Sequence, residues 1–465
     1  MQKKITTELF DKSLETAKKF VEFNKTTISP YHAVHKLEER LVNAGFNRIK
    51  ETDIWSLKNG EFYYLKRGSN SSLVAFGIPP QGLDSKTSGF KIIGAHSDSP
   101  CIRLAPKFES NGSGFEQVHI QTYGGGIWHT WLDRDLVLGG RVVIKTEDGL
   151  ETRLYHSKKP IAKIPTLAIH LTKDRDTLKL NKETELKPII ATEIMKSLHS
   201  NEKSPASVVK GLISTELGCL EEDVIDFDLC FADSHDTDIV GVYDEFISGP
   251  RMDNLYSSFC SIEALINLKN NPDKFKTTND VNMVSIFDHE EIGSETYVGA
   301  DSEFLRSVLS AIADANGKSK QSDIGIMLRR SLLISADMAH GVHPNYSSIH
   351  QSNHVPHVNG GVVLKINCNG RYTTDAISGA IAKDVAKKYD VPLTEFIVRQ
   401  DSGCGSTIGP MLASKLGCLS IDIGAPQLSM HSCREIAGVI DFSYYTQFMQ
   451  GCFETNLEKL LPKEL

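Results

Sequence analysis

From Leu9 to Val21 the apolar residues Leu9, Phe10, Leu14, Ala17 and Val21 recur at the spacing of one helix face. Ser29-Pro30 supplies an N-cap and first-turn pair for a second helix ending near Gly45, so two helices open the chain. The pattern then shortens. Ser72 to Ile78 and Phe90 to Ala95 are compact apolar runs typical of buried strands, and the second passes directly into His96-Ser97-Asp98. Between about residues 102 and 242 the texture is one of short β-like runs, such as Leu138 to Lys145 and Ile164 to Leu171, broken by Gly, Pro and charged turns. After Gly249-Pro250 helices and strands alternate again. The pattern predicts a helix from about Asn254 to Leu268, a strand from Val281 to Phe287, a helix from Ser302 to Ala315 and a strand from Leu332 to Ala336. A helix near Thr374 to Lys388, a strand at Glu395 to Arg399, a helix near Thr407 to Leu416, a strand at Leu419 to Ile423 and C-terminal helices complete it. This is an α/β chain in which residues 1–101 and 243–465 form one discontinuous domain and 102–242 a β-rich insertion.

Composition narrows the class. A chain of 465 residues with 40% hydrophobic content can bury a large core, and its net charge of −8 comes without any dense Lys/Arg block that would suit nucleic acid or a membrane surface. The N-terminus is polar and amphipathic, and no apolar run is long enough to span a bilayer, so neither a secretory signal nor a membrane anchor is expected. Nine cysteines without a Cys-x-x-Cys pair suit reduced thiols in the cytoplasm and argue against zinc held by thiolates.

The candidate chemistry gathers where apolar runs stop. Glu290 and Glu291 stand side by side directly after the Val281–Phe287 run, and two ionised carboxylates there need a cation or a shared proton. A metal ion satisfies the pair most economically, with one carboxylate as ligand and its neighbour left as a base. His96 and Asp98, Asp253, Asp337 and His431 also fall at the ends of apolar runs, where open α/β sheets collect their active groups. His96 and Asp98, two apart, point to one side of an extended chain, and the carboxylate can orient the imidazole. Two imidazoles (His96, His431) and three carboxylates (Asp253, Glu291, Asp337) exceed one catalytic zinc and suit two metals sharing a bridging carboxylate. Nitrogen and oxygen donors without thiolate favour Zn²⁺, with Co²⁺ or Mn²⁺ able to substitute.

Each signal alone has an ordinary reading. Adjacent glutamates usually sit on a solvated helix face, strand-end aspartates are commonly structural, and His431 could precede a helix capped by Ser432 and Glu435. The zincin pattern that His289-Glu290 begins fails, because residue 293 is Gly rather than His. Five histidines between 340 and 357 (His340, His343, His350, His354, His357) are irregularly spaced around Pro344 and Pro356 and read as a loop. Tyr123-Gly124-Gly125-Gly126 with Trp128 and Trp131 reads as a turn and a small aromatic cluster, and Gly403 to Gly409 as a tight turn rather than a dinucleotide site.

Taken in order, the segments Gly94 to Pro100, Tyr123 to Leu136, Ala168 to Leu171, Arg251 to Asn254, Asp288 to Ser294, Asp337 to His340, His343 to Tyr346 and Met430 to Ser432 resemble the M18 family of metallo-aminopeptidases, most of all its aspartyl branch. The resemblance implies a mixed-sheet zinc-exopeptidase catalytic domain flanked by helices, with residues 102–242 as an inserted dimerisation domain. It implies one metal on His96, Asp253 and Asp337, and a second on Asp253, Glu291 and His431. Glu290 would be the general base and Asp98 the residue that orients His96. Substrate contacts fall on His170, Glu290, Asp337, His340, Lys365 and Tyr372, and a lysine in the crevice would select acidic N-terminal residues of peptides. The family further implies dimers assembled into a tetrahedral dodecamer, with His170 reaching a neighbouring subunit's site. Vacuolar relatives carry an N-terminal propeptide, whereas this chain starts at the first helix, which fits the cytoplasmic type. A carboxypeptidase or deacylase on the same scaffold, or an assembly protein that has lost its chemistry, are the competing expectations.

Overall fold

The computed structural model describes residues 5–172, 176–199 and 207–461. Its centre is a nine-stranded mixed sheet in the spatial order Asn47–Arg48, Phe62–Arg67, Ser72–Gly77, Val281–Phe287, Phe90–His96, Leu332–Ala336, Leu419–Gly424, Val362–Lys365 and Leu393–Phe396. Four neighbouring central strands, Val281–Phe287 through Leu419–Gly424, run parallel, with Phe287 beside His96 and Ser335 beside Gly94. The first three of these strands are buried along their whole length on both faces because helices cover both. Side chains alternate between the two layers. Ile93 and Ala95 pack with the helices Thr7–Lys25, Pro30–Asn43, Met252–Lys269, Ala376–Lys388 and Ile440–Glu454, while Phe90 and Ile92 pack with Phe304–Ala315, Gln321–Arg329 and Ile408–Leu416. Ile92 and Ile93 are both fully buried, a burial worth about 1.5–3 kcal/mol each.

Local signals set the boundaries. Thr6 and Ser29 cap the first two helices, accepting from the backbone of Leu9 and His32, and Pro30 occupies the first turn of the second. The helix expected from about Asn254 spans Met252–Lys269, and those expected from Ser302, Thr374 and Thr407 begin two residues or one residue later.

A second, seven-stranded antiparallel sheet joins Val224–Asp233, Cys101–Gly112, Phe115–Tyr123, Ile189–Thr192, Ala162–Lys163, Asp135–Thr146 and Gly149–His156. Val224–Asp233 also pairs with Asp135–Thr146, so the sheet curls back on itself around Ile102, Val118, Leu138, Phe231 and the two tryptophans Trp128 and Trp131. A third sheet of five short strands, Asp238–Val240, Phe246–Gly249, Glu435–Gly438, Pro426–Leu428 and Ala339–His340, bridges the region between the other two.

Two expectations shift. Ile164 to Leu171 forms no strand: Pro165 removes a ladder donor, and Leu167, Ile169 and Leu171 point outward, 59–69% exposed. The strand expected at Glu395 to Arg399 is Leu393–Phe396, because its parallel partner Val362–Lys365 offers pairing only to Phe396. No helix among the described residues is long and apolar enough to cross a membrane.

Candidate metal centre

Four of the predicted residues leave the same sheet edge, at the ends of three strands. His96 ends Phe90–His96, Glu290 and Glu291 lie in a 3₁₀ turn after Val281–Phe287, and Asp337 follows Leu332–Ala336. Because these three strands are adjacent and parallel, their carboxyl ends form one crevice. Asp253 enters from the start of the Met252–Lys269 helix, where Arg251 is left-handed (φ 60°) and Asp253 itself is not yet helical. His431 enters from the loop between Pro426–Leu428 and Glu435–Gly438, also left-handed at φ 65°.

Asp253 stands between the two imidazoles. Its Oδ1 is 3.3 Å from His96 Nε2, and its Oδ2 is 3.4 Å from His431 Nε2. Asp337 Oδ1 is 3.5 Å from His96 Nε2, and Glu291 Oε1 is 3.4 Å from His431 Nε2. Glu290 Oε2 lies farther off, 3.9 Å from His96 Nε2. The ligand atoms of His96, Asp253 and Asp337, and those of Asp253, Glu291 and His431, each lie within 4.8 Å of one another. Asp253 Oδ1, Glu291 Oε1 and Asp337 Oδ1 are buried without a hydrogen-bond partner. Unpaired carboxylate oxygens packed this closely are costly unless a cation completes them, so the donor set fits metal ions.

The surrounding shell holds these donors in place. His96 Nδ1 meets the Asp98 carbonyl at 3.0 Å and His431 Nδ1 the Gly125 carbonyl at 2.9 Å, which leaves both Nε2 atoms facing the centre. The Asp98 carboxylate accepts the backbone N–H groups of Glu290 and Glu291 at 3.1 Å each and the Tyr123 hydroxyl at 2.6 Å. Glu435 accepts the backbone N–H of Asp253 at 3.2 Å and of His431 at 2.9 Å.

The charges are strongly coupled. Burial opposes the charged form of His96, but the facing carboxylates of Asp253, Asp337 and Asp98 outweigh it and raise its pKa well above the usual value. At His431 burial is likewise outweighed, by Asp253 and Glu291, and its pKa rises to about 10. Burial pushes Glu290 up to about 8, His96 lowers it, and the neighbouring Asp337, Asp98 and Asp253 charges add to the rise. Burial and then the Asp253 charge raise Glu291 well above the carboxylate range. For Asp253 burial is overcome by His431 and His96, and for Asp98 chiefly by His96, so both fall below their usual values. Metal-free, the site therefore retains protons that a bound cation would displace.

Lys365 ends its strand on the crevice wall, nearly fully buried, with Nζ 3.5 Å from Asp337 Oδ2 and 5.4 Å from the Tyr372 ring centroid. Tyr372 is buried there too, and His340, exposed at the rim, lies 6.0 Å from the Phe396 ring. His170 is not brought to the centre; it occupies an exposed turn of the second sheet's periphery. The remaining histidines of 340–357 stay in loop structure, with His350 Nε2 accepting from His343 N–H, and none belongs to a metal-competent group among the described residues.

Three residues of the shell escaped the sequence reading. Glu435 begins a strand instead of capping a helix, and its carboxylate ties two donor backbones together. Tyr123 and Gly125 belong to the segment read as a simple turn, yet they touch Asp98 and His431. The matching segment Tyr123 to Leu136 was the available signal for Tyr123 and Gly125, and closeness to His431 the one for Glu435.

A helix-covered mixed sheet whose parallel strand ends gather imidazoles and carboxylates around a shared aspartate defines a metallohydrolase. A family model described as "Aminopeptidase I zinc metalloprotease (M18)" matches residues 23–453, and the chain belongs to this family. It is 40% identical over 437 residues to an aspartyl aminopeptidase of Caenorhabditis elegans, covering 91% of this chain and 92% of that one. It is also 40% identical over 473 residues to aspartyl aminopeptidase 1 of Schizosaccharomyces pombe, covering 97% and 98%. Among solved structures, the cryo-EM structure of the Ape4 and Nbr1 complex matches with a TM-score of 0.94 at 38% identity, over 100% of this chain and 90% of that one. The S. cerevesiae mApe1 dodecamer matches with a TM-score of 0.82 at 26% identity, over 96% and 98%. The chain is an M18 aminopeptidase of the aspartyl aminopeptidase-like kind.

Proposed function

We propose that this enzyme removes unblocked N-terminal Asp and Glu from peptides, using two divalent ions, Zn²⁺ first among them, with Co²⁺ or Mn²⁺ as substitutes. The observation that carries the reading is Asp253 facing His96 with one oxygen and His431 with the other, while Lys365 waits beside Asp337. His96, Asp253 and Asp337 would hold one ion and Asp253, Glu291 and His431 the other. Bound there, the ions supply Lewis acidity toward the scissile carbonyl and lower the pKa of a water molecule.

The chain's own residues do the rest. Glu290 takes the proton of the attacking water and returns it to the leaving amine, and its backbone is held for that task by Asp98. Asp98 also orients His96 through its carbonyl. Lys365 pairs with the substrate's side-chain carboxylate, and Tyr372 and His340 wall that pocket. Residues 102–242 act as the dimerisation domain, and dimers assemble into a tetrahedral dodecamer. The apolar groove of about 1000 Å³ beside Leu167 and Ile169 supports burial against another copy, from which His170 would reach a neighbouring site. The dodecamer named for an M18 relative also favours this assembly. Nine free cysteines suit the cytoplasm.

The test is hydrolysis of Asp-, Glu-, Leu- and Lys-anilides, with N-acylated controls, by wild type and Glu290→Gln. Wild type should cleave only free-amine Asp and Glu substrates, and Glu290→Gln should keep its metal while turnover falls about 10²–10⁴-fold. Preference for Leu would remove Lys365 from its role, cleavage of blocked termini would exclude an aminopeptidase, and full activity of the variant would discard Glu290 as the base.

A further inference from the structure

The segment Tyr123 to Ile127 leaves the seven-stranded sheet at the end of Phe115–Tyr123 and reaches the metal centre, where Gly124, Gly125 and Ile127 meet Glu291 and His431 and Tyr123 meets Asp98. The Tyr123 hydroxyl donates to Asp98 Oδ2 at 2.6 Å, the same oxygen that accepts the Glu291 N–H at 3.1 Å. Gly124, left-handed at φ 73°, runs against Glu291: a Cβ there would stand 3.2 Å from Glu291 Cβ and 3.4 Å from its carbonyl oxygen. The Gly125 carbonyl meets His431 Nδ1 at 2.9 Å, and the Ile127 N–H donates to the His431 carbonyl at 2.9 Å. Of the two groups that share Asp253, Glu291 and His431 belong to one and His96 and Asp337 to the other, while Glu291 also lies within reach of His96 and Glu290 in a third. His96 and Asp337, by contrast, are tied within the nine-stranded sheet's own edge, through the Asp98 carbonyl at 3.0 Å and the Ile423 carbonyl at 3.0 Å.

We infer that the Tyr123–Ile127 turn is a positioning element for the Asp253–Glu291–His431 group, so that filling this one metal position depends on the second sheet. The inference rests on the two-ion reading. A neutral imidazole presents Nε2 to a metal only when Nδ1 carries the proton and an acceptor fixes the ring, and Gly125 is that acceptor for His431. Gly124 is small and left-handed where a side chain would press on Glu291 Cβ and its carbonyl oxygen, so the turn limits where the Glu291 backbone can sit as well as fixing the plane of the imidazole.

Metal-free wild type, Gly124→Ala, Ile127→Pro and Gly149→Ala would be titrated with Co²⁺, with visible absorption and elemental analysis counting ions per chain. Gly149 is left-handed too (φ 122°) in the far hairpin of the same sheet, with nothing within 4 Å of an added Cβ, so it reports backbone strain alone. Wild type and Gly149→Ala should take two ions. Gly124→Ala should keep one at unchanged affinity and bind the other about 10–100-fold more weakly, with a smaller loss on the same ion for Ile127→Pro. If Gly124→Ala does not fold, Ile127→Pro decides by the same criterion, since at φ −86° it chiefly removes the N–H that holds the His431 carbonyl. Two ions of unchanged affinity in both variants, or equal weakening of both ions, would overturn the proposal. A wild type that takes a single ion overturns the two-ion reading itself, a result visible before any substitution is made.

Discussion

His96 and His431 face the same Asp253 carboxylate at 3.3 and 3.4 Å, yet His96 is 1% exposed and His431 30%. His96 ends a fully buried strand, and Asp337 beside it follows another. His431 sits in a loop with a left-handed backbone, and its ring is steadied by a carbonyl from another sheet. His96 is thus the deep imidazole, an extension of the core, and His431 the outer one, steadied from a second sheet. The carboxylates do not follow the contrast, since Glu291 is 4% and Asp337 15% exposed and both follow buried strands.

Three measurements break or sharpen that comparison. The largest effect should come from the histidines themselves. In metal-free protein His96→Ala should cost about 3–5 kcal/mol in urea unfolding, because it strands buried carboxylates without their cation. His431→Ala also leaves Asp253 and Glu291 without their cation, but with its own side chain 30% exposed it should cost less than His96→Ala. Equal losses would end the distinction between deep and outer imidazoles.

Lys365 belongs to the deep side through its 3.5 Å approach to Asp337. Lys365→Met should lower kcat/KM for an Asp-anilide at least about 30-fold, the equivalent of about 2 kcal/mol, and leave the metal content unchanged. Loss of metal along with activity would move Lys365 from recognition to support of the centre.

The smallest effect is a pH trend. Glu290 and Glu435 are raised to about 8, chiefly by burial, so relative to the unfolded chain their stabilisation is complete below about pH 4.5 and lost as pH rises through 8. His431, held at about 10 by Asp253 and Glu291 against burial, contributes stability present below about pH 6.5 and lost as pH rises through 10. Both trends have the same sign. Scanning calorimetry of the metal-free chain should give a lower Tm at about pH 9 than at about pH 6, and metal should narrow the gap, since it replaces those protons. A Tm that rises with pH in the metal-free chain would contradict this account.

Much of the deep side was legible in the sequence. An apolar run that stops at His96, or just before Asp337 or the Glu pair, marks both a buried strand and the side chain at its open end, and both follow from one-dimensional pattern. The outer side was not legible in the same way. Ser432 and Glu435 have the spacing of a capping box, but Glu435 pairs with Phe246–Gly249 as a strand and turns its carboxylate to Asp253 and His431. Tyr123 and Gly125 act through a hydroxyl and a carbonyl, groups carried by many other residues, so their role exists only where two sheets meet. Ile164 to Leu171 failed as a strand for a related reason: past the buried Ile164, its side chains Leu167, Ile169 and Leu171 face outward, away from this chain's own core.

The order in which the donors occur along the chain has a consequence for synthesis. His96 is made first, the whole seven-stranded sheet follows, then Asp253, the glutamates and Asp337, and His431 is the last of the donors. Its loop is flanked by Pro426–Leu428 and Glu435–Gly438, which pair with each other, so the strand that closes it is made after His431 itself. A ribosome-bound chain therefore carries an incomplete centre until that strand has been made.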